Sequence, residues 1–123
     1  MEPTPMKCAL LRRQQLMSRC CTPLAAGNEL ASAHIAEQLA ELPDWQCVDG
    51  VLQRQFEFAD FHDTIAFVNA IARVAHREDH HPEMQIGYSQ CAVRWSTHSV
   101  SGISINDFIC AAKTDAVYAG ELN

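Results

Sequence analysis

Three of the six histidines of this 123-residue chain fall within six consecutive positions, His76-Arg77-Glu78-Asp79-His80-His81, and Pro82 follows directly. A fourth, His98, closes an alternating stretch downstream. Imidazole, with an unperturbed pKa of about 6.5, donates and accepts protons near neutral pH. Two or three imidazoles converging on a cleft suit general acid/base catalysis of an elimination or a hydration; at a helix end they can instead cap unpaired carbonyls or stand solvated. A metal site is a competing use, because His76 and His80 at i, i+4 can share one ion, with His98 or Asp79 completing a tetrahedron. The zinc-protease pattern fails, however, since Arg77 and not glutamate follows the first histidine.

A helix and a strand must hold these residues. From Phe61 onward, Ile65, Val68, Ala72 and Ala75 recur at spacings of three and four, and Phe67, Ile71 and Val74 widen the stripe, which predicts a helix over residues 61–81. Its polar stripe runs Asn69, Arg73, His76, His80, so His76 and His80 are expected one turn apart on one edge, with Pro82 as the stop. Upstream, Asn28 is a candidate cap for a helix that uses Leu30, Ala33, Ile35, Ala36, Leu39 and Ala40 and ends at Pro43. A strand over residues 45–48, the hairpin signal Asp49-Gly50 and a returning strand over 51–58 come next.

Beyond Pro82, Met84, Ile86 and Tyr88 alternate with Glu83, Gln85 and Gly87, and a turn near Tyr88-Ser89 leads into a strand over residues 90–98. There Cys91, Val93, Trp95 and Thr97 share one face; Ala92, Arg94, Ser96 and His98 share the other. Residues 99–102 read as a loop. Ser104-Ile105-Asn106-Asp107 has the form of a capping box, opening a last helix on Ile105, Phe108, Ile109, Ala112 and Ala116. The order α-β-β-α-β-β-α implies an α+β fold: a four-stranded, mainly antiparallel sheet with helices packed on one face. The other face is expected to stay bare and apolar, and so to be covered by a second subunit.

Composition bounds the rest. The length and a hydrophobic content of 48% suit one compact domain. Residues 1–27 lack a sustained period and carry four basic side chains against one acidic, so they read as a tail or irregular lead-in to a single domain over 28–123. The acidic balance therefore belongs to the domain itself, which argues against nucleic acid as a partner. Apolar runs are too short for a membrane span or a secretory segment, and a soluble, cytoplasmic protein is expected. The six cysteines form no C-x-x-C pair and read as reduced thiols.

The run from His76 through His80-His81-Pro82, followed by Tyr88, His98 and Asp107, resembles the signature of the pterin-4a-carbinolamine dehydratases. The resemblance extends over residues 28–118 and takes in Pro43-x-Trp45, the Gly50 hairpin and Ser96-Thr97-His98. It implies a cofactor-free, metal-free hydro-lyase that converts 4a-hydroxytetrahydrobiopterin to quinonoid dihydropterin and water, recycling the pterin used by phenylalanine hydroxylase and related enzymes. It further implies a homodimer or homotetramer. Catalytic positions by this resemblance are His80, His81 and His98, with His80 and His98 exchanging roles as acid and base and His81 positioning substrate. His76, Trp45, Ser96, Thr97 and Asp107 are its candidates for holding the substrate. Two positions depart from the family pattern: His76 stands where many members carry an acidic residue, and Met84 where many carry tryptophan. Some relatives also act as dimerisation cofactors of a transcription factor, so a binding module is the alternative function.

Overall fold

Alternation decides the sheet. On the strand β2, Val51–Glu57, the residues Leu52 and Phe56 are buried while Gln55 and Glu57 are exposed; on β4, Gln90–Trp95, Cys91, Val93 and Trp95 are buried against exposed Gln90 and Arg94. The structure, a computed structural model, describes residues 10–100 and 102–121. β2 pairs antiparallel with β1, Gln46–Val48, and with β4, which pairs antiparallel with β3, Glu83–Ile86, giving the order β1-β2-β4-β3. Leu52 lies opposite Trp95 and Phe56 opposite Cys91, so the buried residues of the two central strands share one face. The Asp49-Gly50 turn carries positive φ at both residues, 52° and 74°, as a two-residue hairpin requires.

The helices cover that face. Between β2 and β3 runs α3, Phe61–Glu78, capped by the Asp60 carboxylate, which accepts from the Asp63 N–H at 2.8 Å. Its Phe67, Ile71, Val74 and Ala75 are buried with Phe108, Ile109, Ala111 and Ala112 of α4, Ile105–Tyr118. The α+β architecture read from the sequence is thus the one observed. Against expectation, α2, Ser32–Leu39, starts after Ala31 with no side-chain cap; the Asn28 side chain instead accepts from the Ala25 N–H at 2.9 Å.

Three further expectations are corrected. The bare sheet face is polar, formed by Gln46, Gln53, Gln55, Gln85, Gln90 and Arg94, because alternation hands those positions to the solvent side. The lead-in contains a short helix α1, Arg13–Ser18, whose Leu16 is fully buried in the core; Leu11, just ahead of it, is also buried. Six residues with one inward side chain leave no period to read. Residues 1–9 of the expected tail lie outside the described residues, as does Ser101 of the 99–102 loop.

The third correction concerns the end of α3. The helix stops at Glu78 and not at Pro82, because Asp79 adopts the left-handed conformation at φ 51° and ψ 44°. The His80 N–H then reaches back to the Ala75 carbonyl (3.2 Å) and the Asp79 N–H to the His76 carbonyl (3.4 Å). That pairing is a Schellman termination, which turns the chain sharply away from the helix axis. His80 and His81 consequently lie off the helix.

Candidate active site

The turn at Asp79 carries His80 off the helix and onto side chains of β4 and α4. Its imidazole lies nearly parallel to the Trp95 ring, at 5.4 Å between centroids and 14° between planes. Its Nε2 is 2.7 Å from Oδ1 of Asp107, a carboxylate with no solvent exposure. Trp95 is itself fixed, as its indole N–H donates to Thr114 Oγ1 at 3.2 Å and that hydroxyl donates to the Cys110 carbonyl at 2.7 Å. The imidazole is therefore held by a ring face and a carboxylate at once.

Asp107 reaches this place through local chemistry at the start of α4. As the third residue of the helix, its Oδ2 accepts the Ser104 N–H at 2.9 Å, while the Ser104 hydroxyl accepts the Asn106 N–H at 3.2 Å. This is the capping box read from the sequence, with aspartate as the reciprocal partner. Oδ2 also accepts from Thr97 Oγ1 at 2.7 Å, and that hydroxyl is 2.7 Å from Ser104 Oγ. Thr97 is buried, its N–H donating to the Gly102 carbonyl at 3.0 Å across the loop.

His98 is the residue after Thr97 and opens a single 3₁₀ turn, His98–Val100, with its side chain exposed. His81, directly after His80, is exposed as well. His81 thus adjoins His80 in the chain and His98 adjoins Thr97, the hydroxyl donor to Asp107, so each of two exposed imidazoles is next to a residue of the largely buried His80–Asp107 cluster. Such an arrangement can move protons to and from a ligand lying over the pair.

Other sequence candidates fall elsewhere. The exposed His76 side chain sits in a shallow hollow with Ala72, Arg73 and Arg77, and no hydrogen bond or ring contact among the described residues joins it to the His80–Asp107 pair. The left-handed residue between them removes the one-turn stacking of His76 on His80 that the helical reading assumed. Among the described residues no three His, Cys, Asp or Glu side chains converge as metal donors. Trp45 is buried in the core, where its indole N–H donates to Asp115 Oδ1 at 2.8 Å. Asp115 is eight residues beyond Asp107, about 12 Å along α4, so Trp45 is not brought to the histidines. Burial pushes the Asp115 carboxyl up, and the Trp45 indole and the Arg54 guanidinium, 2.7 Å away, pull against it. Ser96 is half-buried at the end of β4. Thr97 is buried, with its hydroxyl turned to Asp107.

Sequence reasoning missed the parts that hold the pair in place. Trp95 reads as one more inward strand residue, and nothing local reveals that an imidazole will lie on it. Glu78 reads as a helix-surface acid, yet it is nearly buried, 3.4 Å from the Lys113 ammonium, and accepts the Cys21 N–H at 2.8 Å. These contacts tie the end of α3 to α4 and to the lead-in.

Comparisons with known proteins bear on this geometry. The family model of pterin 4 alpha carbinolamine dehydratase matches residues 28–117. A Chromobacterium violaceum protein assigned by name to the pterin-4-alpha-carbinolamine dehydratases is 45% identical over 103 residues, 84% of this chain and 95% of the relative. One from Stenotrophomonas maltophilia, assigned the same name, is 48% identical over 102 residues, 81% of this chain and 88% of the relative. Among solved structures, the crystal structure of a transcriptional coactivator/pterin dehydratase from Brucella melitensis superposes with a TM-score of 0.72 at 34% identity, covering 74% of this chain and 99% of that one. With the family model spanning the sheet, α3 and the first thirteen residues of α4, the chain belongs to the pterin-4a-carbinolamine dehydratase family of hydro-lyases.

Proposed function

We propose that this protein dehydrates 4a-hydroxytetrahydrobiopterin to quinonoid dihydropterin and water, returning to service the pterin oxidised by phenylalanine hydroxylase and related enzymes. What supports this reading is the largely buried His80–Asp107 pair, together with exposed His81 and His98, each next in the chain to a residue of that cluster. In the reaction the C4a–O bond breaks and the departing hydroxide takes a proton from an imidazolium. The N5–H proton passes to a neutral imidazole, and its bonding pair becomes the second bond between C4a and N5. His80 and His98 are assigned to these two transfers, each of which typically contributes roughly 10²–10⁴-fold. His81 is assigned to positioning the pterin. No step requires a metal or an organic cofactor.

A coupled assay with a phenylalanine hydroxylase tests the reading by following the 4a-hydroxypterin absorbance with and without this protein. Faster decay that persists after exhaustive chelation is expected. Loss of that acceleration on chelation, with recovery on adding zinc, would overturn the imidazole mechanism.

Self-association belongs to the same proposal. With a polar outer sheet face, the support comes from its open edges β1 and β3 and from Ile86, Phe61 and Tyr88, which stand exposed near one end, the last two rings 6.5 Å apart. Light scattering at micromolar concentration is expected to give a dimer or tetramer; a mass equal to the chain's own 13.7 kDa would refute this. We place the protein in the cytoplasm; among the described residues no helix is long and apolar enough to cross a membrane. A second reading, as a binding partner of a transcription factor, draws on the coactivator name of the Brucella melitensis structure. Recovery of a host transcription factor in a pull-down with this protein would favour it.

A further inference from the structure

We infer that Thr97 and Ser104 form a one-way hydrogen-bond relay that sets the tautomer of His80, keeping the proton on Nε2 and presenting Nδ1 as the nitrogen that works. The inference deepens the acid/base reading of His80 and rests on it for its catalytic meaning, but the tautomer itself follows from counting protons. A hydroxyl has one proton to give, and an ionised carboxylate can only accept. Thr97 Oγ1 lies 2.7 Å from Asp107 Oδ2, so the threonine proton is committed to the carboxylate. The 2.7 Å contact between Thr97 Oγ1 and Ser104 Oγ must then use the serine proton. Ser104 Oγ is free to give it, because the same oxygen accepts the Asn106 N–H.

Every proton in the relay therefore points toward Asp107. With the Ser104 N–H and the Thr97 hydroxyl both directed at Oδ2, the acceptor left for the histidine is Oδ1, 2.7 Å from His80 Nε2. An acceptor on one side of that contact demands a donor on the other, and Nε2 carries the hydrogen. The Trp95 face holds the ring in this plane, so Nδ1 points away from the carboxylate. Thr97 and Ser104 are thus positioning residues. Both are buried, and both act through Asp107.

The test is a two-dimensional ¹H–¹⁵N spectrum of the histidine ring nitrogens of the full chain at a pH where His80 is neutral. The expected result is a His80 pattern with protonated Nε2 and bare Nδ1, and the opposite tautomer overturns the inference. Thr97→Val removes one of the two donors that hold Oδ2, so the carboxylate can rotate off the imidazole; the expected result is a mixture of tautomers and a kcat about 10-fold lower with KM little changed, the scale of one hydrogen bond to a charged group. Thr97→Ser, which keeps the hydroxyl, should restore both the spectrum and the rate. A Thr97→Val protein with the wild-type spectrum and rate also overturns it. The wild-type spectrum decides the tautomer even if Thr97→Val fails to fold. An Nε2–H tautomer in a protein that does not dehydrate the pterin would count against the proposed reaction alone.

Discussion

His98→Ala is expected to lower kcat by about 10²–10³-fold with no change in melting temperature, whereas His80→Ala should lose a similar factor and also stability. The difference comes from what each ring leaves behind. His98 is exposed on a surface turn, so its removal strips a proton carrier and little packing. His80 has only 12% of its side chain exposed, rests on Trp95 and is the partner of a fully buried carboxylate. Truncating it leaves Asp107 Oδ1 buried without its donor, an omission that costs about 1–3 kcal/mol or more for a charged group. Melting curves beside single-turnover rates, corrected for the uncatalysed dehydration, separate the two effects. Full activity in His98→Ala would remove His98 from the chemistry, and an unchanged melting temperature in His80→Ala would mean that the Asp107 contact is energetically idle.

Deleting residues 1–27 is expected to cost about 3–6 kcal/mol, although the deleted part precedes the family-matched stretch. Leu16 is fully buried and Leu11 nearly so, and burying a leucine side chain is worth roughly 1.5–3 kcal/mol. Polar groups lose partners too. The buried Gln38 amide accepts the Leu11 N–H at 2.8 Å and donates to the Leu11 carbonyl at 3.0 Å, and the Asn106 amide donates to the Thr22 carbonyl at 2.7 Å. On this account we propose that the cooperative unit takes in Leu11 and α1 and does not begin at residue 28. Urea denaturation of the full chain and of residues 28–123 is the comparison to make; coincident midpoints would show that the lead-in contributes nothing.

What the sequence revealed of the fold is what has a period. The alternation from Cys91 to Thr97 and the stripe from Ile65 to Ala75 placed the sheet's central strand and the long helix, because each buries a regular subset of its residues. The Ser104-x-x-Asp107 box was legible for a different reason: capping chemistry is local and uses few residue types. The end of α3 was not. A proline marks where a helix can no longer continue, whereas the actual termination at Asp79 depends on a left-handed residue whose conformation tertiary contacts sustain. That error misplaced His80 and invited the metal reading with His76. The candidate site was half legible in the same sense, since histidines and an aspartate can be picked out by type, but the inward turn of Thr97 to Asp107 and the Trp95 shelf are products of packing. The polarity of the outer sheet face stood in Gln53, Gln55, Gln90 and Arg94 and follows from the alternation that located the core.

Asp107 serves the first turn of α4 with Oδ2 and His80 with Oδ1, so one carboxylate couples the motion of the two. A helix end ordinarily frays by local opening at little free-energy cost, and a flexible site ordinarily loosens without disturbing its scaffold. Here neither happens alone: opening the first turn of α4 releases the carboxylate from the imidazole, and withdrawing the imidazole leaves a buried charge that pulls on the turn. Amide exchange at Ser104 and Asp107 is then a clock for the site itself, and any ligand that held His80 against Asp107 would slow exchange at both amides without touching them.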